Sequence, residues 1–302
     1  MSTRLGYRAV AAVLATALAA VLASPPAAAR PAARPAGPVV EVAGTSAGFT
    51  VTGRSRPGHV TLAASTTHPA GALFTLVRLR PGAALDEVLA NLNRGINGDR
   101  ADSVAGGLEV QRLAVLPGSA AVLPGTPVSV TAYLTRGTYY VVNLQDLHEG
   151  GVPQAAARLH ALTVAGTPSA APPPRPGAGC VFVRGQGWAA FTVPDAVRSG
   201  DPIRMVNAMP QLGEAVILPV RPGTTRQHLW EFFEAANRGD WSVEMPFTGG
   251  PVGLPVVSPG YTTTVALTLA PGEYAVTTWY PNFADGTMLA AQGQFDLLTV
   301  LP

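Results

Sequence analysis

Aromatic side chains form the most suggestive group of residues in this sequence. Trp279, Tyr280 and Phe283 follow a strand-like segment and lie where a loop begins. Aromatic rings on loops at one end of a β-sandwich can form a binding face for a sugar, a peptide or a partner protein. Core packing is the competing role, because buried aromatic rings dominate core energetics. These three residues are therefore the candidate ligand-binding residues.

A second candidate is the segment from Gly44 to Gly48, which matches the Gly-x-Ser-x-Gly pattern of a serine nucleophile. That motif holds its serine in a sharp turn between a strand and a helix. Here the residues after Gly48 alternate like a strand, so Ser46 is predicted to be a turn residue. A secreted serine hydrolase built around Ser46 is the second alternative function.

The histidines are candidates for metal binding. The chain has five of them, and none forms a close cluster with recognisable metal-site spacing. A copper or other metal-binding protein that uses His59, His68 and His148 is the first alternative function. His148 is expected to lie with Asp146 and Glu149 in a solvated loop.

Carboxylates are the remaining groups suited to acid–base chemistry. Glu231 and Glu234 share one face of a predicted helix, opposite an apolar stripe, and are expected to be solvated. Glu214 is expected at the surface or at a rim. No catalytic residue is assigned, and the chain is predicted not to be an enzyme.

These candidates lie on a sequence that contains one module written twice. Residues 269–300 follow the same plan as residues 134–164: a turn, a strand with alternating side chains, a long loop and a closing strand. The segment 221–223, Arg-Pro-Gly, repeats 80–82, and each copy precedes residues at helical spacing. Thr224 or Thr225 can cap the second helix, and Leu229, Phe232, Phe233 and Ala236 form its predicted buried face. The first helix is expected to stop at Gly95, with residues 97–107 as a surface loop.

The order of Pro271, Gly272 and Tyr274, then a strand, a loop, Gly293 and a last strand, resembles the end of cupredoxin (plastocyanin-like) domains. The resemblance covers most of both repeats and implies two Greek-key β-sandwiches, each with one short helix. In the secreted bacterial members, Cys, His and Met side chains and a further upstream His hold copper. The aligned Cys, His and Met positions here are Thr278, Leu289 and Gln294 in the second copy, and Asn143, Gln154 and Leu159 in the first. Thiolate and imidazole are required for a type-1 copper centre, so the resemblance implies the fold and argues against the metal.

Composition limits the classes of partner. Of the 302 residues, 13% are charged and 47% are hydrophobic, and the formal net charge is +2. Four of the arginines precede the first module, so no basic stripe remains for nucleic acid. The single cysteine, Cys180, cannot form an internal disulfide; it is either a small buried residue or a thiol that pairs between chains.

The predicted organisation is an export signal (1–29), a Pro/Ala linker (30–38), a first domain (39–166), a Pro-rich linker (167–179) and a second domain (180–302). A positive start, a short apolar run and small residues near position 29 are typical of a cleaved signal, so membrane attachment is expected only if the segment stays uncleaved. We predict an all-β, secreted, non-enzymatic binding protein without a cofactor, whose partner is an extracellular ligand or protein.

Overall fold

Two mixed β-sheets with an apolar core between them form the body of the protein. The computed structural model describes residues 37–302, so the predicted signal and most of the first linker lie outside the described residues. Between residues 37 and 302, no helix combines the length and the apolarity needed to cross a bilayer. The prediction of a β-sandwich fold class is confirmed.

The first half of the described chain carries nine strands and three helices. The strands are β1 (Val39–Thr45), β2 (Gly48–Gly53), β3 (Gly58–Thr66), β4 (Ala72–Leu79), β5 (Ala114–Val115), β6 (Ser119–Val122), β7 (Val128–Leu134), β8 (Gly137–Asn143) and β9 (His160–Val164). The helices are α1 (Leu85–Asn97), α2 (Arg100–Leu113) and α3 (Leu144–Arg158).

The second half carries nine strands and one α-helix. The strands are β10 (Ala178–Gly185), β11 (Trp188–Thr192), β12 (Ala196–Arg198), β13 (Ile203–Asn207), β14 (Gly213–Pro219), β15 (Val252–Val257), β16 (Thr262–Leu267), β17 (Gly272–Thr277) and β18 (Phe295–Leu301). The helix is α4 (Arg226–Asn237), and a single 3-10 turn spans Ala290–Gln292.

Six strand pairings occur in the same way in both halves. In the first half, β1 pairs antiparallel with β2 and parallel with β3, β3 pairs with β7, β4 pairs with both β6 and β8, and β8 pairs with β9. In the second half, β10 pairs antiparallel with β11 and parallel with β13, and β13 pairs with β16. Strand β14 pairs with both β15 and β17, and β17 pairs with β18.

Each sheet is continuous across the two halves. Strand β7 pairs with β16, with Val130 opposite Val265, and this contact completes an eight-stranded sheet. Strand β6 meets β15 at Ala121 and Gly253, and this contact completes a ten-stranded sheet. The outer face of the ten-stranded sheet is covered by α1, α2 and α3 in the first half and by α4 in the second.

The prediction for α4 is confirmed. Thr225 is its N-cap and accepts a hydrogen bond from the backbone N–H of His228, whose side chain bonds back to Thr225. All four predicted face residues are buried, while Glu231 and Glu234 are exposed as expected.

The surface loop predicted for residues 97–107 is wrong, because most of that segment belongs to α2. Asp99 caps this helix by accepting a hydrogen bond from the N–H of Asp102. Gly106 lies so close to α1 that a Cβ there would come within 2.6 Å of the Asn91 carbonyl oxygen. Its glycine therefore serves close helix packing, a role that the sequence pattern did not distinguish from a loop. Helix α1 continues two residues beyond Gly95, to Asn97.

The loop predicted between the last two strands of the first half is also wrong. Those residues form α3, whose N-cap Asn143 accepts a hydrogen bond from the N–H of Gln145, and which bends at Gly151. Asp146, expected in a solvated loop, is buried and pairs with Arg158 at 2.7 Å. Gly151, at φ 67°, is not helical itself, and it joins the two helical segments of α3 across a kink.

Candidate ligand-binding cavity

A cavity of about 440 Å³ lies against the ten-stranded sheet, where the two halves meet. One wall comes from α1, α2 and the start of α3; the opposite wall comes from residues 279–283. It reaches the surface near Pro69 and Ala70, which are exposed. Most of its lining is aliphatic or aromatic, so the cavity suits an apolar guest.

Strand alternation places one carboxyl group in this apolar lining. Along β14, Ala215 and Ile217 point into the core between the sheets, whereas Glu214 and Val216 point to the opposite face and line the cavity. Leu73 on β4 lines the cavity from the first half.

Glu214 is buried and hydrogen bonded, with only 8% of its surface exposed. Its Oε2 accepts hydrogen bonds from Thr278 Oγ1 at 3.1 Å and from the backbone N–H of Trp279 at 2.5 Å. Burial raises the pKa of Glu214 to about 7, although both hydrogen bonds act in the opposite direction. This carboxyl group therefore changes charge near neutral pH.

The expectation that Glu214 lies at the surface or at a rim is wrong. The groups that cover it belong to distant segments of the chain. The signal that could have found it is its position directly before the apolar run Ala215–Leu218, which is typical of a buried strand.

The three predicted aromatic residues all line this cavity. Trp279 is mostly buried and packs edge-on against the rings of Phe232 and Phe233. Burial and the nearby charge of Glu214 raise the pKa of the Tyr280 hydroxyl. These rings therefore line a cavity and Trp279 also packs into the core, while their part in ligand binding stays a prediction.

Gln211 fixes the loop that carries these rings. Its Oε1 accepts a hydrogen bond from the N–H of Phe283 at 3.0 Å, and its Nε2 donates to the Pro281 carbonyl at 2.9 Å. The ring of Phe283 reaches across to α2, where a Cβ on Gly107 would lie 2.3 Å from it. The sequence did not single out Gln211, which is only 1% exposed.

The first half has a corresponding pair of positions. Strand pairing sets Thr75 opposite Val142, as it sets Val216 opposite Thr277, so Leu73 and Asn143 occupy the places of Glu214 and Thr278. The side-chain Oδ1 of Asn143 accepts a hydrogen bond from the N–H of Leu73 at 3.0 Å and also caps α3. In the first half, the polar side chain at this position caps the start of a helix. Its neighbour at the place of Glu214 is a leucine.

The other positions aligned with cupredoxin ligands make structural contacts. Leu289 is fully buried, and Gln294 Nε2 lies 3.1 Å from Met209 Sδ. In the first half, Gln154 Nε2 donates to Asp146 Oδ1 at 3.0 Å, and Leu159 follows the end of α3.

The histidines named for metal binding lie in three different settings. His59 on β3 packs edge-on against the ring of Tyr133, and His68 Nε2 lies 3.6 Å from Glu149 in a turn. His148 is on α3 and lines the cavity. Across residues 37–302, no group of three or more His, Cys, Asp or Glu side chains is arranged to hold a metal ion.

Ser46 and Cys180 are both accounted for by packing and turns. Ser46 is exposed in the turn between β1 and β2, and within the described chain it makes no hydrogen bond to a histidine. Cys180 is fully buried, and burial raises the pKa of its thiol. The buried interpretation of Cys180 is confirmed.

Comparison with known proteins finds similarity in solved structures only. No family model matches the chain, and no curated protein matches it. Auracyanin B is 18% identical over 42% of this chain and 91% of its own, with a TM-score of 0.24. Copper nitrite reductase from Nitrosomonas europaea is 12% identical over 87% of this chain and 93% of its own, with a TM-score of 0.25. A multicopper oxidase is 11% identical over 87% of this chain and 88% of its own, with a TM-score of 0.22. Similarity at this level carries no information about the activity or metal content of this chain.

Proposed function

We propose that this chain is a secreted, non-enzymatic binding protein made of two cupredoxin-like domains, residues 39–166 and 180–302. Its binding site is the cavity at their junction, and its ligand is small and largely apolar. The observation that carries the proposal is a cavity of about 440 Å³ with apolar walls and one buried carboxyl group. Cavities of this size and character are typical small-molecule sites.

The repeated strand pairings support the two-domain part of the proposal. Both halves share six pairings, and the Arg-Pro-Gly segment recurs at 80–82 and 221–223. Residues 165–177 carry no helix or strand, as expected for a linker.

The side chains at the aligned ligand positions support a metal-free role. Type-1 copper needs thiolate and imidazole ligands. Thr278 instead donates a hydrogen bond to Glu214, Gln294 contacts Met209, and Leu289 has no donor atom. This set of groups does not fit copper.

A binding role is favoured over a catalytic one because several polar groups of the cavity make hydrogen bonds within the protein. Glu214 is engaged by Thr278 and Trp279, and the hydroxyl of Ser103 donates to the Gly95 carbonyl at 2.8 Å. Among residues 37–302, no contact favours the hydrolase or the histidine metal site as a second candidate.

The test is binding of a neutral apolar fluorophore, N-phenyl-1-naphthylamine, to the mature exported protein. We expect saturable fluorescence enhancement at one site. Val216 lines the cavity, so Val216→Phe should fill it and abolish the fluorescence enhancement. Val181→Phe, on the eight-stranded sheet, should leave the enhancement unchanged.

Overpacking at Val216 can also destabilise the fold by about 1–3 kcal/mol. Leu123→Trp therefore serves as a second blocking variant, because Leu123 is half-buried in the cavity wall. Enhancement that survives both folded variants, or no enhancement in the wild type, would overturn the proposed site.

A further inference from the structure

The carboxyl group of Glu214 uses its two oxygens differently. Both protein donors, Thr278 Oγ1 and the N–H of Trp279, bond to Oε2. Within residues 37–302, Oε1 receives no hydrogen bond, and Glu214 lines the cavity. A carboxylate oxygen that meets an apolar cavity without a protein donor favours a ligand that donates a hydrogen bond to it.

The cavity wall supplies no permanent positive charge. Its described lining contains no arginine, and the whole chain contains no lysine. The titratable groups that face the cavity are Glu214, Tyr280 and His148. An ionised Glu214 therefore lacks a fixed counter-ion in these walls.

The aromatic wall adds a second feature that favours a cation. Trp279, Tyr280 and Phe283 line the same cavity as Glu214. Aromatic faces attract ammonium groups, and the attraction grows where water is excluded. A carboxylate beside aromatic rings in an apolar cavity complements a cationic head on an apolar body.

We infer, on the basis of the proposed function, that the ligand is a small hydrophobic amine. Its protonated nitrogen donates a hydrogen bond to Oε1 of Glu214. Its apolar body fills the space between α1, α2 and residues 279–283. A charge-assisted hydrogen bond of this kind is stronger than a neutral one. The amine then provides a counter-ion, which the described cavity lining does not supply.

The inference sets the direction of a pH dependence. An ammonium ligand needs Glu214 ionised, so its affinity rises as pH increases through about 7 and then levels off. A ligand that accepts a hydrogen bond from protonated Glu214 would show the opposite trend.

The experiment displaces N-phenyl-1-naphthylamine with three ligands that share one aromatic body. These are 2-(1-naphthyl)ethylamine, 2-(1-naphthyl)ethanol and 1-naphthylacetate. At pH 8 we expect the amine to bind at least about tenfold more tightly than the alcohol, since hydrogen bonds to charged groups are worth more than neutral ones. Below pH 7 that advantage should fall about tenfold per pH unit, in line with titration of one group.

Two matched variants locate the effect. Glu214→Gln keeps an acceptor for Thr278 and Trp279 but removes the charge, so it should lose the amine preference and its pH dependence while still binding the alcohol. Glu231→Gln removes a carboxylate from the exposed face of α4, away from the cavity lining, and should change neither.

The outcomes separate this inference from the proposed function. Equal affinities of amine and alcohol, or tightest binding of 1-naphthylacetate below pH 7, would overturn the amine while leaving the cavity as a binding site. Failure of the fluorophore itself to bind would overturn the proposed function.

Discussion

Thr278 Oγ1 donates a hydrogen bond to Glu214 Oε2 across 3.1 Å, although 64 residues separate the two in sequence. The same hydroxyl accepts a hydrogen bond from the N–H of Tyr280 at 3.1 Å. Thr278 therefore links the carboxylate to the start of the aromatic loop. The geometry of the cavity depends on this contact between β14 and the end of β17.

The raised pKa of Glu214 predicts a pH-dependent stability. The folded state binds this proton more tightly than the unfolded state, because burial raises the pKa from 4.5 to about 7. The stabilising contribution of this proton to the free energy of unfolding is thus fully present below about pH 4.5 and is lost as pH rises through 7. By linkage the loss amounts to about 3 kcal/mol.

Urea denaturation at pH 5 and pH 8, without ligand, measures this loss. Glu214→Gln cannot titrate, so its stability should change less between the two pH values, and the difference between the proteins isolates the carboxyl group. Parallel pH profiles for the two proteins would contradict the assignment.

Removing the Thr278 hydroxyl should destabilise the fold. Thr278→Val leaves Glu214 and the N–H of Tyr280 short of one partner each, and we expect a loss of about 1–2 kcal/mol in the free energy of unfolding. The matched control is Thr277→Val, since the buried Thr277 hydroxyl has no hydrogen-bond partner in the described structure. That substitution should be neutral or stabilising, and an equal loss in both variants would refute the role given to Thr278.

Two helix glycines should respond in opposite ways to alanine. At Gly106 a Cβ would lie 2.6 Å from the Asn91 carbonyl oxygen and 2.8 Å from the Gly95 nitrogen, so Gly106→Ala must push α1 and α2 apart. We expect a loss of about 1–3 kcal/mol. At Gly95 the nearest atoms are 4.0 Å away, so Gly95→Ala should gain about 0.5–1 kcal/mol from helix propensity. Thermal unfolding of both variants tests this close packing.

Cys180 should be inert in the folded protein. Its side chain is fully buried, and its raised pKa keeps the thiol protonated near neutral pH. A colorimetric disulfide reagent should react only after guanidinium unfolds the chain. Rapid stoichiometric reaction without denaturant would show that Cys180 is accessible, as a thiol that pairs between chains would need to be.

Glycine patterns show where local reasoning failed. Gly106 and Gly107 made residues 97–107 resemble a loop, yet Gly106 is required where α2 approaches α1. The loop predicted before β9 is α3, in which Asn143 caps the first helical segment and Gly151 joins it to a second segment across a kink. Glycine marks turns and close packing alike, and only the surrounding contacts distinguish the two.

The sequence by itself determined the features that depend on local periodicity. Alternation along β17 indicated a strand, and the spacing of Leu229 and Phe233 with a cap at Thr225 indicated α4. The position of Trp279 directly after a strand-like segment indicated that it lies where a loop begins. These features are local, because neighbouring residues along the chain fix which side chains share a face.

Only the tertiary structure decided that Glu214 is buried and that the two halves enclose a cavity. The groups around Glu214 come from β14, from the end of β17 and from residues 279–283, and the opposite wall comes from helices of the first half. Burial, and with it the raised pKa of this carboxyl group, is a property of all those segments together. No short stretch of sequence contains them, because the chain brings them together only by folding.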